Sequence, residues 1–534
     1  MASPLHIVWF KRDLRIIDHA ALSLACTKGT VLPLFVWEPR VWAGDDYAAQ
    51  HAGFITECLV ELKQQLETIG LNLVESSLGI LEVLKSIISQ YPIAAIYSHE
   101  ETGNNTTFTT DIAVAAWCKT HHITWVELPQ NGVVRRLKSR NHWNGIWEKR
   151  MAAPQSHLPQ QCLSAPLIDL PKSHTLRAKG EDKLQRLHGG RTRGLMLLNS
   201  FLDGRGARYR GGISSPINAV TAGSRLSPYL AWGALSMREV VQASRMQQAK
   251  IIENPHQYPR GLNGGITGFE SRLHWHCHFM QKLESEPALE FANLHHAHDG
   301  IRDEHVADTE SQKRLAAWCK GETGWPLVDA CMAMLRSTGW INFRMRAMLM
   351  STASYLYWLH WRETGLHLAR EFLDYEPGIH WSQAQMQSGT TGINTLRIYN
   401  PIKQAIDQDP EGKFVRHWLP SLENVPTTWI FQPWLIPPNL QLQYGCVIDR
   451  DYPAPLVNIE HALHEARTKI SNARSAKDHR QETASIIKKH ASRKGMLGGI
   501  RDVKGNEFKR KKPSRTIKKT PNSNEIPHTQ QELF

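Results

Sequence analysis

The sequence lacks any apolar run that approaches the roughly 18 consecutive apolar residues of a transmembrane helix. Apolar residues make up 41% of its 534 positions and charged residues 21%. These shares are typical of a soluble globular protein. The first ten residues read as a strand and contain no basic leader followed by a cleavage site. We therefore expect a cytoplasmic protein with no membrane partner.

Several metal and nucleotide motifs are also missing. The eight cysteines include no CxxC pair, and the chain has no HExxH. No GxGxxG follows the first strand, so an ordinary dinucleotide-binding turn is not predicted. The cysteine spacing disfavours a metal ribbon and a disulfide framework. The interpretation is eight free thiols in a reducing compartment and no metal site.

Histidines form two groups in the second half of the chain: His274, His276 and His278, then His295, His296 and His298. His274 and His278 share one face of a predicted helix, a spacing that can hold a transition metal. No carboxylate pattern accompanies them. The preferred interpretation is a polar wall of a cofactor or DNA pocket.

Positive charge is concentrated at one end of the chain. The net charge is +13, and residues 461–534 contain 18 Lys and Arg against 7 Asp and Glu. A segment such as FKRKKPSRTIKK attracts polyanions by counterion release. Such tails are also commonly disordered and merely solvated. Both interpretations of the tail stay open.

The pattern of apolar runs divides the chain into four regions. Residues 1–130 alternate strand-like runs (HIVWF, TVLPLFVW, LNLVES, AAIYSH, ITWVEL) with helical stretches, which predicts a doubly wound α/β domain with a ligand crevice at its strand ends. Residues 131–183 read as an irregular connector. Residues 184–460 show helical periodicity and predict an all-α domain. Residues 461–534 predict a basic extension with one helix near IEHALHEARTKI followed by disorder.

Two segments of the helical region suggest a bound phosphate-containing cofactor. GSRLSP at Gly223 to Pro228 opens a helix with hydroxyls, which suits a pyrophosphate or simply caps the helix. Further on, aromatic and basic side chains crowd together: Trp318, Trp325, Trp340, Trp358 and Trp361, with Arg336, Arg344, Arg346 and Arg362. These rings are either core or oxidisable groups within electron-hopping distance of a chromophore.

The order of the motifs resembles the photolyase/cryptochrome family, in a divergent bacterial-type branch. The resemblance rests on GSRLSPYLAWGALS, LAAWCKGETGWPLVDACMAMLRSTGWINFRMRAMLMSTASYL, REFLDYEP, LRIYNP and the opening HIVWFKRDLRIIDHAAL. It runs from Met1 to about Leu422. It implies an N-terminal antenna domain and a helical C-terminal domain that holds a folded FAD.

The resemblance also implies residue roles. The implied FAD contacts are Tyr209, Ser224, Arg225, Leu226, Ser227, Arg344, Arg346, Asp374 and Glu376. Asn342 matches a polar position beside the flavin, and His380 falls on the position facing flavin N5. The alternative interpretation is that His380 is a packed polar residue with no role at the flavin.

Two departures from the family concern electron supply and substrate. Trp318 and Trp361 match the distal and middle members of a tryptophan series, but the proximal position falls at Ala384, with Trp381 and Tyr399 as candidate replacements.

In the substrate pocket, Arg272 stands where an acidic residue precedes Trp275 in dimer-binding relatives. An alternative alignment keeps Glu270 and loses the tryptophan to Leu273. Met386 replaces a second stacking tryptophan.

The implied activity is that of a deoxyribodipyrimidine photo-lyase, a carbon-carbon lyase driven by blue light. Reduced FAD passes an electron to a cyclobutane pyrimidine dimer flipped out of ultraviolet-damaged DNA, and the dimer splits. The alternatives are (6-4) photoproduct repair, a cryptochrome-like photoreceptor and a light-independent nucleic-acid binder. The loop from Tyr97 to Asn104 resembles a folate antenna site, so a second chromophore of unknown identity is open. The family default is a monomer.

Overall fold

The computed structural model describes residues 3–171, 178–303, 308–394, 396–475 and 479–490. The basic segment FKRKKPSRTIKK lies outside the described residues. In the described part of the chain, no helix is both long enough and apolar enough to cross a membrane.

The N-terminal half is built on a parallel sheet with the strand order β3-β2-β1-β4-β5. Its strands are β1 (Leu5–Phe10), β2 (Thr30–Val36), β3 (Val74–Ser76), β4 (Ile93–His99) and β5 (Thr124–Leu128). The helices of this half are α1 (Ala20–Cys26), α2 (Pro39–Trp42), α3 (Ala49–Glu67), α4 (Ile80–Gln90) and α5 (Asn105–Thr120). All five predicted strands and the doubly wound topology are confirmed.

The strands read as nearly continuous apolar runs because both faces of the sheet are covered. Val8 and Phe10 of β1 point into one hydrophobic core, and Ile7 and Trp9 point into another. Alternate residues face opposite sides of a strand, so one run supplies both cores. The first core continues into the helical half through Tyr229 and other residues, which joins the two halves.

The predicted irregular connector contains regular structure. Residues 140–142 form a 3-10 turn that leads into α6 (Trp143–Ala152), whose Trp143, Trp147 and Met151 are buried. Strand β6 (Leu163–Ser164) pairs with the start of β2. The helical pattern of α6 is short and lies next to a stretch rich in Pro, Gln and His. The prediction that this connector is irregular is therefore wrong for α6 and β6.

The prediction of eight free thiols is also wrong for one pair. Cys26 at the end of α1 and Cys162 beside β6 form a disulfide, with 5.5 Å between their Cα atoms. That separation lies within the usual range for a disulfide. The sheet register brings together two cysteines that are far apart in sequence. The other six cysteines are free.

The second half is helical, as predicted. Its helices up to residue 351 are α7 (Arg191–Asp203), α8 (Tyr209–Gly212), α9 (Ala219–Ala222), α10 (Ser227–Ala231), α11 (Met237–Glu253), α12 (Leu262–Ser285), α13 (Thr309–Lys320), α14 (Pro326–Thr338) and α15 (Phe343–Ser351). Those that follow are α16 (Trp361–Glu371), α17 (Pro377–Ser388), α18 (Pro401–Gln408), α19 (Lys413–Trp418), α20 (Pro438–Gln441), α21 (Ile459–Arg474) and α22 (His479–His490).

The helical run RMRAMLMSTASYLYWLHWRE is broken where the sequence predicts continuity. A π-helical turn, Thr352–Leu356, follows α15, and Trp358 then takes a left-handed φ of 58°. The Trp358 indole N–H donates to the carbonyl of Ile301 at 2.9 Å, and the Arg302 guanidinium lies 4.4 Å from its ring. These contacts hold a bulky residue in a conformation it rarely adopts.

Part of the C-terminal extension is ordered. The predicted helix near IEHALHEARTKI is confirmed as α21. The prediction of disorder beyond it is wrong for residues 479–490, which form α22 and bury Ile486 and His490 against the rest of the protein. Only those two side chains are buried along this helix, which explains its weak sequence signal.

Candidate cofactor site

The site begins at α10, where the GSRLSP motif ends. Ser224 Oγ accepts from the amide of Leu226 at 3.5 Å, and Leu226 is buried in the core. Arg225 has a φ of 62°, and its guanidinium lies 3.8 Å from the ring centroid of Trp340. Burial lowers the pKa of Arg225 to about 10. The motif therefore places a cation and two serines at one helix start.

Asp374 lies at the centre of this region. Its carboxylate accepts two hydrogen bonds from Arg346, both at 2.9 Å, and another from Ser227. Burial pushes the pKa of Asp374 up, but the Arg346 charge and these hydrogen bonds outweigh it and hold that pKa below its usual range. Three residues predicted to contact the cofactor are thus brought together in one buried network.

Glu376 pairs with a residue from the other half of the protein. Arg12, directly after β1, donates to Glu376 Oε2 at 3.0 Å and to the carbonyl of Tyr375 at 3.0 Å. Its guanidinium also lies 4.7 Å from the Trp232 ring. Burial raises the pKa of Glu376 to about 7, and Arg12 opposes that rise. The sequence reasoning missed Arg12, although the charged turn KRDLR after a buried strand was a signal.

The start of α15 presents polar groups next to this network. Asn342 Nδ2 donates to the carbonyls of Ile213 and Ser214 at 3.0 and 2.9 Å. Its Oδ1 is buried and has no partner in the described part of the chain. Arg344 reaches Ser214 Oγ at 3.4 Å, and Phe343 is 39% exposed.

His380 and Trp381 occupy the first turns of α17. His380 Nε2–H donates to the carbonyl of Gly365 at 2.9 Å, and burial lowers the pKa of His380 to about 4. The imidazole is therefore neutral at physiological pH. Its ring centroid lies 4.9 Å from that of Trp381. Predicted flavin-facing and electron-donor residues are adjacent here.

The structure brings two of the tryptophans predicted to transfer electrons into contact. The rings of Trp361 and Trp381 lie 5.9 Å apart at an angle of 72°. Gly365 makes room for this pair, since a Cβ atom there would lie 2.7 Å from the Trp381 ring. Trp318 is fully buried with its ring 5.5 Å from His367. Ala384 is buried one turn after Trp381, and Tyr399 is also buried.

One stripe of α12 faces the same region. The side chain of Arg272 hydrogen bonds to Tyr209, and the rings of Trp275 and Phe279 stack with centroids 5.5 Å apart. His276 lies on this stripe, and its Nδ1 has no partner in the described part of the chain. Burial, with the charge of Arg12, lowers the pKa of His276 to about 4. The half-buried Met386 lies on α17, which packs against α12.

The alternative alignment of the substrate pocket gains no support. Glu270 forms an ion pair with Arg245 of α11 at 2.6 Å, and Leu273 is buried in the core. The rings of His274 and His278 lie 4.9 and 5.9 Å from that of Trp143 in α6. The His278 ring also contacts Trp275 and Phe279, at 5.0 and 5.4 Å. The polar wall of a pocket stays a prediction.

The loop that the sequence predicts to hold an antenna chromophore makes hydrogen bonds within the protein. Asn104 caps α5 and donates to Asp46 at 2.7 Å, and the Tyr97 hydroxyl lies 3.3 Å from His6 Nδ1. A crevice of about 80 Å³ at the strand ends is lined by Lys11, Glu101 and other side chains. Cofactor pockets usually enclose about 300–1,000 Å³. A second chromophore therefore stays a prediction.

A larger cavity of about 280 Å³ lies elsewhere, between the π-helical turn and α21. Trp358, His461 and Lys469 are among its lining residues. It does not include the residues of the candidate cofactor site.

Two family models match the chain. Residues 269–472 match the FAD binding domain of DNA photolyase, and residues 6–141 match the family described as DNA photolyase. The chain belongs to the photolyase/cryptochrome family. Its helical half is a photolyase-type FAD-binding domain, and the α/β fold of the first half agrees with the second match.

Curated relatives of this photolyase/cryptochrome protein include both repair enzymes and cryptochromes. It is 27% identical to the deoxyribodipyrimidine photo-lyase of Escherichia coli over 88% of this chain and 99% of that protein. It is 25% identical to cryptochrome DASH of Gloeobacter violaceus over 90% and 98%.

Solved structures share the fold. The Synechocystis cryptochrome aligns with a TM-score of 0.77 at 24% identity, covering 88% of this chain and 99% of that one. The archaeal photolyase from Sulfolobus tokodaii, solved with two FAD molecules, aligns with a TM-score of 0.67 at 23% identity over 88% and 100%.

The polar atoms around Asp374 fit a large polar cofactor such as FAD. Within the described residues, several enclosed donors and acceptors have no protein partner: Arg225 Nε, His276 Nδ1, Asn342 Oδ1, Arg344 Nε, Glu376 Oε1 and Trp381 Nε1. Buried polar groups are normally hydrogen-bonded. Their placement on α12, α15, α17 and the segment before α10 matches a ligand held between these elements.

Proposed function

We propose that this protein is a light-driven DNA repair enzyme of the deoxyribodipyrimidine photo-lyase type that acts on a pyrimidine dimer flipped out of the duplex. The observation that carries the proposal is the α12 stripe, where Trp275 and Phe279 stack on each other and the His278 ring contacts both at 5.0 and 5.4 Å. Enzymes that act on an extruded base hold it between aromatic or apolar side chains. Met386 on the neighbouring α17 would supply an apolar wall.

The residues of this chain would bind the cofactor and the DNA, orient them and shield them from water. Arg225 and Arg344 are suited to phosphate oxygens of FAD or DNA, because a guanidinium is a planar donor with fixed geometry. Asn342 Oδ1 is an acceptor held in place by the two hydrogen bonds of its Nδ2. Asp374 stays ionised and fixes Arg346. When bound, reduced FAD supplies the electron that light drives into the dimer.

We further propose Trp381 and Trp361 as the route by which electrons reach the cofactor site. Their contact at 5.9 Å replaces the family arrangement that Ala384 lacks. Trp361 Nε1 donates to Asn293 at 2.8 Å, which fixes its ring. Trp381 Nε1 has no partner among the described residues, so its indole is the less constrained of the two.

The test uses oligonucleotides that each carry one defined lesion, either a cyclobutane dimer or a (6-4) photoproduct. Purified full-length protein is photoreduced, mixed with each substrate and illuminated, and restored sites are counted by digestion. We expect light-dependent repair of the cyclobutane dimer and its loss in Trp275→Ala. Trp434→Phe, in the half-buried turn Pro433–Leu435, is the matched control and should repair normally.

Three results would redirect the proposal. Repair of the (6-4) substrate alone would reassign the lesion, with His276, whose Nδ1 has no partner in the described part of the chain, as the first residue to replace. Binding of damaged DNA no tighter than intact DNA, with unchanged dimers under light, would rule out repair. Equal repair by both tryptophan variants would remove the α12 stripe from the substrate site.

One observation favours a photoreceptor as the second candidate. Tyr355 of the π-helical turn packs with Ala466 and Ile470 of α21, so the C-terminal extension contacts the segment that joins α15 to α16. In a photoreceptor, illumination would loosen this contact. Faster hydrogen exchange of residues 459–474 in light than in darkness, without dimer repair, would support that function.

A further inference from the structure

Two histidines of one turn and a third from far along the sequence meet at the start of α22. His295 precedes the 3-10 turn of residues 296–298, His298 ends it, and His479 is the first residue of α22. One ring nitrogen from each lies within 4.8 Å of the others. His295 and His298 are fully buried. The sequence predicted no metal here, because nothing in it shows that His479 returns to this turn.

Three ring nitrogens of this cluster have no partner in the described part of the chain, two in His298 and one in His479. His298 is 1% exposed, and neither of its nitrogens has a hydrogen-bond partner in the described part of the chain. The same holds for Nε2 of His479. Buried imidazoles are normally hydrogen-bonded. Enclosed lone pairs that converge from two elements therefore indicate a missing ligand.

His295 lies beside a carboxylate, although its Nδ1 now accepts a hydrogen bond from the amide of Ala297 at 3.2 Å. Its Nδ1 lies 3.1 Å from Glu482 Oε2, and Glu482 is fixed by the amide of His296, which donates to Oε1 at 2.9 Å. A ligating histidine typically donates its other ring N–H to a carboxylate. For Nε2 to face a metal, the proton must move to Nδ1, which then faces Glu482 and no longer accepts from Ala297. Nε2 would give up its contacts with the carbonyl of His479 at 3.1 Å and with Thr483 Oγ1 at 3.2 Å.

We propose that His295, His298 and His479 bind a divalent transition-metal ion of the zinc type, which fastens α22 to the body of the protein. Three neutral imidazoles with an open fourth position suit Zn²⁺, and such a site also accepts Co²⁺ or Ni²⁺. A tetrahedral ion with Zn–N bonds of about 2.0–2.1 Å requires ligand nitrogens about 3.3 Å apart. Binding therefore draws the three rings together and turns His295 and His479 out of their 4.2 Å stack.

Electrostatics around the site act in both directions. Burial, with the nearby charges of Arg474 and Arg302, lowers the pKa of His298 to about 3. The ring is therefore neutral and available as a ligand at physiological pH. The same arginines oppose a cation, whereas the Glu482 carboxylate attracts it. Since metal ligation requires neutral histidine, binding should weaken in acid.

Zinc titration of the full-length flavoprotein tests the proposal. After treatment with a chelator and its removal, calorimetry is expected to show one Zn²⁺ bound per chain. His298→Ala and the half-buried His479→Gln should each weaken binding by about tenfold to 100-fold or more. His296→Ala is the matched control, since His296 lies in the same turn but is 74% exposed and pairs with Asp299. It should bind like the unaltered protein.

Two further measurements keep the outcome decisive. The flavin absorbance of each variant reports whether it has folded. Hydrogen exchange of residues 479–490 should slow when Zn²⁺ is added to the unaltered protein and to His296→Ala, but not to His479→Gln. Absence of stoichiometric binding to the unaltered protein, or equal binding by all folded variants, would overturn the proposal.

Discussion

Two buried carboxylates in the cofactor site show how contacts decide ionisation at the residue scale. The Asp374 carboxylate accepts two hydrogen bonds from the Arg346 guanidinium and one from the Ser227 hydroxyl, and its pKa stays below the usual range. Glu376 receives one guanidinium hydrogen bond, from Arg12, and a backbone hydrogen bond from Gly378. Burial then dominates, and its pKa rises to about 7. A carboxyl group at Glu376 therefore changes charge within the physiological range.

Glu376→Gln should remove part of the pH dependence of stability. Because the pKa of Glu376 is raised from 4.5 to about 7, the folded protein holds a proton that the unfolded chain releases. This contribution is fully present below about pH 4.5 and is lost as the pH rises through about 7, by up to about 3 kcal/mol. Glutamine cannot titrate, so the corresponding slope should disappear. Urea unfolding of the flavoprotein between about pH 5 and 8 measures it.

The control for this prediction is Glu423→Gln, at an exposed position. Its stability curve should run parallel to that of the unaltered protein. If Glu376→Gln also runs parallel, Glu376 is ionised throughout this pH range in the folded protein.

Trp381→Phe should slow photoreduction of the flavin. Phenylalanine keeps the packing against Gly365 but is much harder to oxidise than indole. We expect a rate lower by about tenfold or more, equivalent to about 1.4 kcal/mol in the barrier. Bleaching of the oxidised flavin band under blue light with an external reductant measures the rate.

Trp325→Phe is a closely matched control for that experiment. Trp325 is also 1% exposed with an indole N–H that has no partner among the described residues, but its ring neighbour is Tyr357, at 5.1 Å. Its photoreduction rate should be unchanged. Equal rates for both variants would move the electron route to other residues, with Tyr399 the next to replace.

At the scale of elements, the position of Trp381 depends on a glycine in a neighbouring helix. Gly365→Ala in α16 places a Cβ atom 2.7 Å from the Trp381 ring, and overpacking of this kind costs about 1–3 kcal/mol. At Gly145 in α6, a Cβ atom would meet nothing within 4 Å, so Gly145→Ala should stabilise by about 0.5–1 kcal/mol. Thermal unfolding of both variants should therefore show shifts of opposite sign.

The same pair of variants separates packing from function. Gly365→Ala should also slow flavin photoreduction, because the displaced Trp381 ring no longer contacts Trp361 at 5.9 Å. A variant that is destabilised but photoreduces at the normal rate would show that the ring contact is not needed for electron supply.

Elements were predictable where local sequence and tertiary environment agree. The strands β1 and β2 are continuous apolar runs because both sheet faces are covered, so their positions follow from the sequence. The break in the helix before Trp361 does not follow from the sequence, because Ile301 and Arg302, from a distant segment, hold Trp358 in its left-handed conformation.

The candidate site divides along the same line. The identities of Asp374 and His380 followed from a resemblance carried by local motifs. The atoms that these residues contact did not follow from the sequence. Arg12, Gly365 and His479 are brought to their sites by long-range packing, which no spacing in the sequence encodes.

At the scale of the whole molecule, Arg12 connects the two halves. It follows the first strand of the α/β domain, yet all its strongest contacts are with the helical domain: Ala231, Tyr375 and Glu376. Its side chain is 9% exposed and that of Glu376 is 4% exposed. It also lines the crevice at the strand ends. A single guanidinium therefore borders both the crevice at the strand ends and the cofactor site.

A double-mutant cycle on Arg12 and Glu376 should reveal this coupling. Arg12→Met alone leaves a buried carboxyl group without its cation, and removing one partner of a buried pair costs about 3–5 kcal/mol. Because Glu376 can take up a proton, the loss should be smallest in acid and should grow as the pH rises through about 7. Arg12→Met combined with Glu376→Gln should recover stability relative to the sum of the single changes. The pair Lys413 and Glu411, with both side chains 69% exposed, is the control and should show little coupling, because solvent screens exposed charges. Additive effects at Arg12 and Glu376 in urea unfolding would mean that this pair does not couple the two halves.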